Sequence, residues 1–455
     1  MSGPSRSRAS RLAEGWVAGF PAFLASSSSD ASLRGMRTEA LAAFQQQGLP
    51  HRKLENWRHT PLTAIEDASP EPPTGVPART ESDLRSSLAS LAGPGEEFER
   101  AVFVDGQLND GLSSLRDSDS GPSCRAFETA VADPIDGASL RALLGTLADP
   151  KRDAFTALGT AYMQGGAVVR LPTGCRADRP LHLLFVWTHR RSLQCPRILV
   201  LAESGSEAVV LAEHVSMGET DSLTNSVSEL FLAPGAQLDW VVVERPGESA
   251  LRVSNLHCKQ EKDSRLGLHM LSLGGRFART DIAVRLADTG AEVDLNGLFL
   301  GTSDRLVDHH TEIDHAMPHG QSRQLYKGIL AGHSRGVFRG MIRVSPHAQK
   351  TDSRLSNPNL LLSDTAQIET EPQLEIHADD VKCSHGSTVG QLDLEALFYL
   401  QTRGIGFDDA CNILTRGFAT EICDRLPHEN LRRYARSLVS ETLNAFSTGE
   451  TRPEP

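Results

Sequence analysis

Residues 205–215, GSEAVVLAEHV, decide the fold, because their arrangement recurs along the chain: GAQLDWVVVER at 235–245, DSRLGLHMLSL at 263–273, GAEVDLNGLFL at 290–300, HSRGVFRGMIRV at 333–344 and TAQIETEPQLEI at 365–376. Each copy opens on a turn-forming residue, adds a residue or two, and continues as a run that alternates in polarity, the pattern of a strand with two unlike faces. Successive copies start 30, 28, 27, 43 and 32 residues apart. Strands too polar at alternate positions to be buried on both sides, repeated at this period, predict a solenoid of stacked coils. In the first copy Ala208, Val210 and Ala212 alternate with Val209, Leu211 and Glu213, one set buried inward and the other exposed. The long interval contains an extra polar segment, 307–324. A β-sandwich gives similar local patterns, and the regular spacing favours the coil.

Outward from this core the period becomes helical. Before about residue 167, Trp16, Phe20, Phe23 and Leu24 fall on one helix face, as do Leu33, Met36, Ala40, Leu41 and Phe44. Arg6, Arg8 and Arg11 ahead of the apolar run 16–25 imitate a secretory signal, but Glu14 and Pro21 disagree with one, and a short docked helix is the expectation. Residues 69–77, SPEPPTGVP, read as a linker. A strand at 101–104 closes in an Asp-Gly turn, and helices are expected at 138–147 and 153–163. After Gly386 three helices follow, with Asp393 and Asp408 as N-caps and Pro427 opening the third. The organisation is therefore a helical region 1–80, a mixed α/β region 81–165, a β core 166–390 and a helical region 391–455.

With 455 residues, 39% of them hydrophobic, the chain has ample material for a large core. Its formal charge of −12 argues against a nucleic-acid binder. Seven scattered cysteines do not form a disulfide framework and suit a reducing cytoplasm. No run of 18 apolar residues predicts a membrane-spanning helix. The chain carries no phosphate-binding G-x-x-x-x-G-K-[ST] loop, nucleophile elbow, H-E-x-x-H pair or C-x-x-C.

Two clusters remain that can carry chemistry. The first, 307–315, VDHHTEIDH, holds His309, His310 and His315, with His319 close behind; these allow metal ligation, although on a strand His309 and His315 share one face and His310 the other. The second, 377–386, HADDVKCSHG, places Cys383 and His385 on one side of an extended chain. A thiolate and an imidazole suit a borderline metal such as iron, Asp379 and Asp380 lie nearby, and two ligands need a second chain to complete the shell.

Residues 357–405, NPNLLLSDTAQIETEPQLEIHADDVKCSHGSTVGQLDLEALFYLQTRGI, resemble the signature of the SufB/SufD family of the SUF iron–sulfur assembly system. So do KLENWRHT at 53–60, LVDHHT at 306–311, QLYKG at 324–328 and AQKT at 348–351. The reading SDTAQIE from Ser363, and Gly386 directly after His385, resemble the SufD branch rather than SufB. The likeness implies a mainly β fold with α flanks, a right-handed parallel β-helix between N- and C-terminal helical regions. It implies a non-catalytic scaffold subunit that pairs with SufB, binds the ATPase SufC through its C-terminal helices, and is served indirectly by a cysteine desulfurase. A homodimer is the alternative when the chain is isolated. An iron–sulfur cluster would be held transiently and shared with SufB, with no nucleotide on this chain. His385 matches a residue expected beside the nascent cluster, and Cys383 matches a family position of less definite role. Asp393, Leu397, Phe398, Arg403, Phe407 and Phe418 fall in the implied SufC-docking region. Two rivals stand beside this one: a β-helix polysaccharide hydrolase or lyase with Asp308, Glu312 and Asp314 as acids, poorly supplied with sugar-stacking rings by four Trp and four Tyr, and a purely architectural subunit.

Overall fold

The computed structural model of the chain describes residues 7–27, 31–73, 80–89, 91, 93–116, 121–218 and 220–447. From residue 166 onward successive long strands alternate between two parallel sheets. One contains Leu181–Trp187, Glu207–Ser216, Gln237–Arg245, Arg265–Ser272, Glu292–Gly301, Gln321–Leu330, Asp352–Leu361 and Lys382–Gly390; the other contains Gly166–Leu171, Arg197–Ala202, Leu223–Leu232, Leu251–Gln260, Phe277–Leu286, Leu306–His315, Arg335–Val344 and Gln367–Ile376. Each turn of the chain contributes one strand to each sheet, making a parallel β-solenoid of about eight turns with helices at both ends.

This corrects the repeat as read from sequence. The first four copies belong to the first sheet, but 333–344 and 365–376 belong to the second. The 43-residue interval is one and a half turns rather than a turn with an insertion. Its polar segment is two full strands, Leu306–His315 and Gln321–Leu330. The sequence periodicity changed phase because both strands of a coil have the same alternation.

One corner of the coil explains the turn residues. Gly174, Gly205, Gly235, Asp263, Gly290, His319 and Lys350 all have positive φ, from 53° to 75°. Each donates its N–H to a carbonyl of the next coil, from Gly174 to Ser204 O (2.9 Å) through to Lys350 to Asp380 O (2.7 Å). Glycine is required where this column is tight: a Cβ on Gly290 would lie 2.2 Å from Asp263 Oδ1. His319 is thus a corner residue.

The inward columns are apolar through most of the solenoid, with Leu183, Val210, Trp240, Leu268 and Leu295 among the fully buried residues. Ala208, Val210 and Ala212 face inward as expected. Their outward neighbours are not exposed, however: Leu211 and Glu213 are buried, because helices cover the sheet. Phe407–Asp424 and Glu429–Ser447 lie on the first sheet, where Ile422, Leu426 and Leu438 pack on Leu211, Val241, Leu271 and Leu298. On the second sheet, Ala154–Ala161 and the N-terminal helices pack Phe155, Leu158 and Trp57 against Leu223, Leu251 and Phe277. The helix Arg8–Ser26 buries Leu12, Trp16, Phe20 and Phe23, and Trp16 Nε1 donates to Pro70 O at 2.7 Å. The expected linker begins docked on the body through a Glu71–Ser192 bridge; residues 74–77 of it lie outside the described residues. The helix expected at 138–147 ends at Leu143, and Gly406 rather than Asp408 caps Phe407–Asp424.

The two ends of the solenoid differ. At the start the first sheet continues into Glu99–Val104, which turns through Asp105 (φ 48°) and Gly106 (φ 85°) into Gln107–Leu108, a turn whose two positive φ values match strand twist. At the other end Gln367–Ile376 and Lys382–Gly390 each have only an inner sheet neighbour. The C-terminal helices leave this end uncovered and lie along the side.

Candidate functional site

The uncovered end carries the second sequence cluster. Strand register pairs Cys383 with Ser353 and His385 with Leu355, both buried. Cys383 and His385 therefore occupy adjacent positions in the inward-facing columns of the last coil. With no further coil above them, His385 is exposed and Cys383 half-buried. Burial raises the Cys383 thiol pKa and nearby Asp352 adds to the effect, so the free thiol holds its proton at neutral pH and metal binding must displace it. Asp380 forms an ion pair with Lys350. Ile376 and Val389 beside the pair are partly exposed, 39% and 49%, as the cut end of the core. Among the described residues no three His, Cys, Asp or Glu side chains converge as a metal site.

Next to the pair, beneath Ser387 and Val389, a polar floor comes from Asn357-Pro358-Asn359. Pro358 has no N–H, and the ladder to Gln321–Leu330 skips residues 357 and 358. Asn357 repairs the gap: its Nδ2 donates to Tyr326 O at 2.9 Å, while its Oδ1 accepts from Asn359 Nδ2 (2.8 Å) and Thr370 Oγ1 (2.8 Å). Asn359 Nδ2 also reaches Thr388 O on the terminal strand. These asparagines tie three coils together under the open end. Sequence reading singled out the string only as a signature; the proline inside a polar alternation was the available signal. Asn357→Ala leaves the Tyr326 carbonyl buried without a donor and is expected to destabilise the fold by about 1–3 kcal/mol, measurable as a lower urea midpoint at unchanged slope.

The histidines of 307–315 do not gather. His309 is buried inside the solenoid between the rings of Phe299 and Tyr326, centroids 5.3 and 5.6 Å away. His315 is inside too, its Nε2 2.9 Å from Ser322 Oγ. Burial lowers both pKa values to about 4. His310 is on the opposite face, its Nε2 3.0 Å from Asp308 Oδ1. The acids of the hydrolase reading are likewise tied to arginines: Asp308 to Arg279 (2.7 Å), Glu312 to Arg343 (2.5 Å) and Asp314 to Arg285 (3.6 Å).

The structure instead gives Asp308 a partner 248 residues away. Thr60 Oγ1 donates to Asp308 Oδ2 at 2.5 Å. The Arg279 guanidinium sits 3.9 Å over the Trp57 ring and donates to Asn56 O and to both carboxylate oxygens of Asp281. Burial would raise the Asp308 pKa, but His310 and Arg279 hold it well below the usual carboxylate range. The strings at 53–60 and 306–311 thus form one buried clamp fastening the N-terminal region to the second sheet.

The C-terminal helices present a different surface. Asp393 caps Leu394–Thr402 by accepting from Glu395 N at 2.9 Å, and Leu397 is buried. Leu394, Phe398, Tyr399, Phe407 and Ile413 are exposed, up to 78% for Leu394. Arg403 stacks on Tyr399 at 5.0 Å. Phe418 is half-buried, with Lys327 4.1 Å over its ring and bonded to its carbonyl. Apolar side chains left exposed in this number along two neighbouring helices are candidates for an interaction surface. Among the described residues no helix is long and apolar enough to cross a membrane.

Comparison with known proteins places this architecture. Residues 185–418 match the model of the SUF system FeS cluster assembly, SufBD core domain. The chain is 30% identical to the iron–sulfur cluster assembly protein SufD of Escherichia coli over 89% of its own length and 91% of that protein. It is also 30% identical to an iron–sulfur cluster assembly SufBD family protein of Synechocystis sp., with 92% of each chain covered, and 28% identical to the chloroplastic protein ABCI7 of Arabidopsis thaliana over 92% and 88%. With half the chain inside the core model and full-length likeness outside it, the chain belongs to the SufBD family of iron–sulfur cluster assembly proteins.

Proposed function

We propose that this chain is the SufD-type scaffold subunit of an iron–sulfur cluster assembly complex. It pairs with a SufB paralogue at the open end of the solenoid and carries the SufC ATPase on its C-terminal helices. One observation carries the reading: Cys383 and His385 stand side by side at the C-terminal end of the solenoid, whose last two strands lack an outer neighbour. The site is half of a coordination shell. A neutral imidazole and a deprotonated thiolate are two donors for iron, which enters as cargo; the remaining positions fall to the partner's side of the joint. The raised thiol pKa of Cys383 means that this donor engages only when iron displaces its proton. The exposed residues Leu394, Phe398, Phe407 and Ile413 support the motor-docking role, and the chain itself performs no catalysis.

The test is to isolate the co-expressed complex with its paralogue and ATPase under anaerobic conditions, then quantify iron and acid-labile sulfide. His385→Ala is expected to lower both at least fivefold with subunit stoichiometry unchanged. Full cluster content in that variant would leave the chain an architectural subunit.

A further inference from the structure

The outward face of the second sheet carries a charge lattice that stops at the open edge. Across Phe277–Leu286, Leu306–His315, Arg335–Val344 and Gln367–Ile376, the register aligns Arg285, Asp314, Arg343 and Glu375 in one column. A second column aligns Asp281, His310, Arg339 and Glu371, and a third Arg279, Asp308, Val337 and Glu369. Signs alternate along the first column, with Arg285–Asp314 at 3.6 Å and Arg343–Glu375 at 3.0 Å, and in the second column Arg339 lies 4.0 Å from Glu371. Arg343, inside the sheet, has a carboxylate on both neighbouring strands, Glu312 and Glu375. The last row, Glu369, Glu371 and Glu375, meets Arg339 and Arg343 on its inner side, with the His59 ring 3.9 and 3.5 Å from the first two and the His377 ring 3.0 Å from the third. The three side chains remain 52%, 41% and 45% exposed.

The backbone of the same strand is open for pairing. Gln367 N donates to Ser334 O and His377 N to Val344 O, so odd residues bond the inner strand, and in a parallel ladder the even residues turn their N–H and C=O to the free edge. Pro372 is one of these even residues. Its missing N–H costs the native ladder nothing and removes a donor from the free edge, a device that limits indiscriminate strand addition.

We propose that this edge selects its partner by charge: it takes an edge strand of a different solenoid that is basic opposite Glu369, Glu371 and Glu375, and it rejects a second copy of this chain. The inference rests on the paired-solenoid reading above and says what chemistry the pairing needs. Two copies joined by a two-fold axis would pair this strand antiparallel with itself. For the two cores to join, inward faces must meet inward faces, so odd residues oppose odd residues. Every such register centred on residues 369 to 373 then sets a glutamate against a glutamate: 369 on 369, 369 on 371, 371 on 371, 369 on 375, or 371 on 375. Like charges directly opposite are destabilising, whereas Lys or Arg there continues the lattice by one row.

The experiment uses the full chain and its co-expressed paralogue, with affinity read by sedimentation at 50 and 300 mM salt. The wild type is expected to bind the paralogue more weakly at high salt, and the triple variant Glu369→Lys, Glu371→Lys, Glu375→Lys to lose at least tenfold in affinity. The triple Glu→Gln variant is expected to lose most of the salt dependence. These side chains are exposed, and a thermal melt matching the wild type confirms the fold. In a second arm, wild type mixed with the triple lysine variant is expected to associate more tightly than the wild type does with itself. Unchanged affinity of the lysine variant for the paralogue, or no mixed association, overturns the charge selection. A wild type that does not bind the paralogue overturns the subunit reading instead, and the mixing arm still decides the edge chemistry.

Discussion

Lowering the pH from 6.5 to 4 is expected to remove about 5 kcal/mol of folding stability, about 2.5 kcal/mol from each of two histidines sealed inside the solenoid. His309 and His315 have pKa values of about 4 in the folded protein, because burial disfavours the imidazolium, whereas an unfolded chain titrates them near 6.5. Above pH 6.5 both states are neutral and the contribution is whole. Between 6.5 and 4 only the unfolded state binds the protons, so stability falls with each step in pH, and below 4 the loss is complete. His214, stacked on Phe185 with ring centroids 4.7 Å apart, is also held neutral by burial and pulls in the same direction. The carboxylates Asp308 and Glu213 act below about pH 4.5, where their unfolded forms gain protons, so the window from 6.5 to 4.5 belongs to the histidines. Urea midpoints measured through that window should decline steadily. His309→Leu, an apolar side chain between two rings, should flatten the decline by about one proton; a midpoint constant from pH 6.5 to 4.5 would refute the assignment.

Glu213→Ala is expected to destabilise the protein by about 3–5 kcal/mol and to loosen the last helix first. Glu213 is 1% exposed and serves as the hub for three groups: His182 Nε2 lies 2.8 Å from Oε2, while Arg245 Nε (2.7 Å) and the Tyr434 hydroxyl (2.6 Å) donate to Oε1. Burial opposes the charge on Glu213, but His182, Arg245 and Tyr434 together lower its pKa to about 2. Alanine leaves a buried imidazole and the Arg245 guanidinium without their shared carboxylate. Because Tyr434 is on Glu429–Ser447, the lost bond is also one of that helix's anchors to the first sheet. Hydrogen exchange should quicken across 429–447 before it changes in the solenoid, and Glu213→Gln, which keeps an acceptor, should cost less. A thermal midpoint within a degree of the wild type would show that the hub carries no net stability.

Glu213 also marks the limit of what alternation reveals. In EAVVLAEHV it occupies an outward position, and period-two reasoning assigns it to solvent. The positions did point outward. What the local pattern lacked was the pair of helices, more than 190 residues downstream, that cover that face. Asp308 and His310 show the same limit: they alternate outward on their strand, yet Trp57 and Thr60 from the N-terminal region cap that face. Cys383 and His385 were legible as a pair because two residues of extended chain always share a side. Their standing at an uncovered end follows from strand order, which is non-local.

The amino-acid sequence alone determined that the chain coils: strand alternation and left-handed corner residues are local preferences, written within ten residues and repeated at each turn. It also marked the string that carries Cys383 and His385. Only the tertiary structure decided which strands share a sheet, which outward faces are buried, and that one end stays open. Those outcomes depend on contacts between segments far apart in the chain, where burial and charge pairing, rather than backbone preference, set the energy.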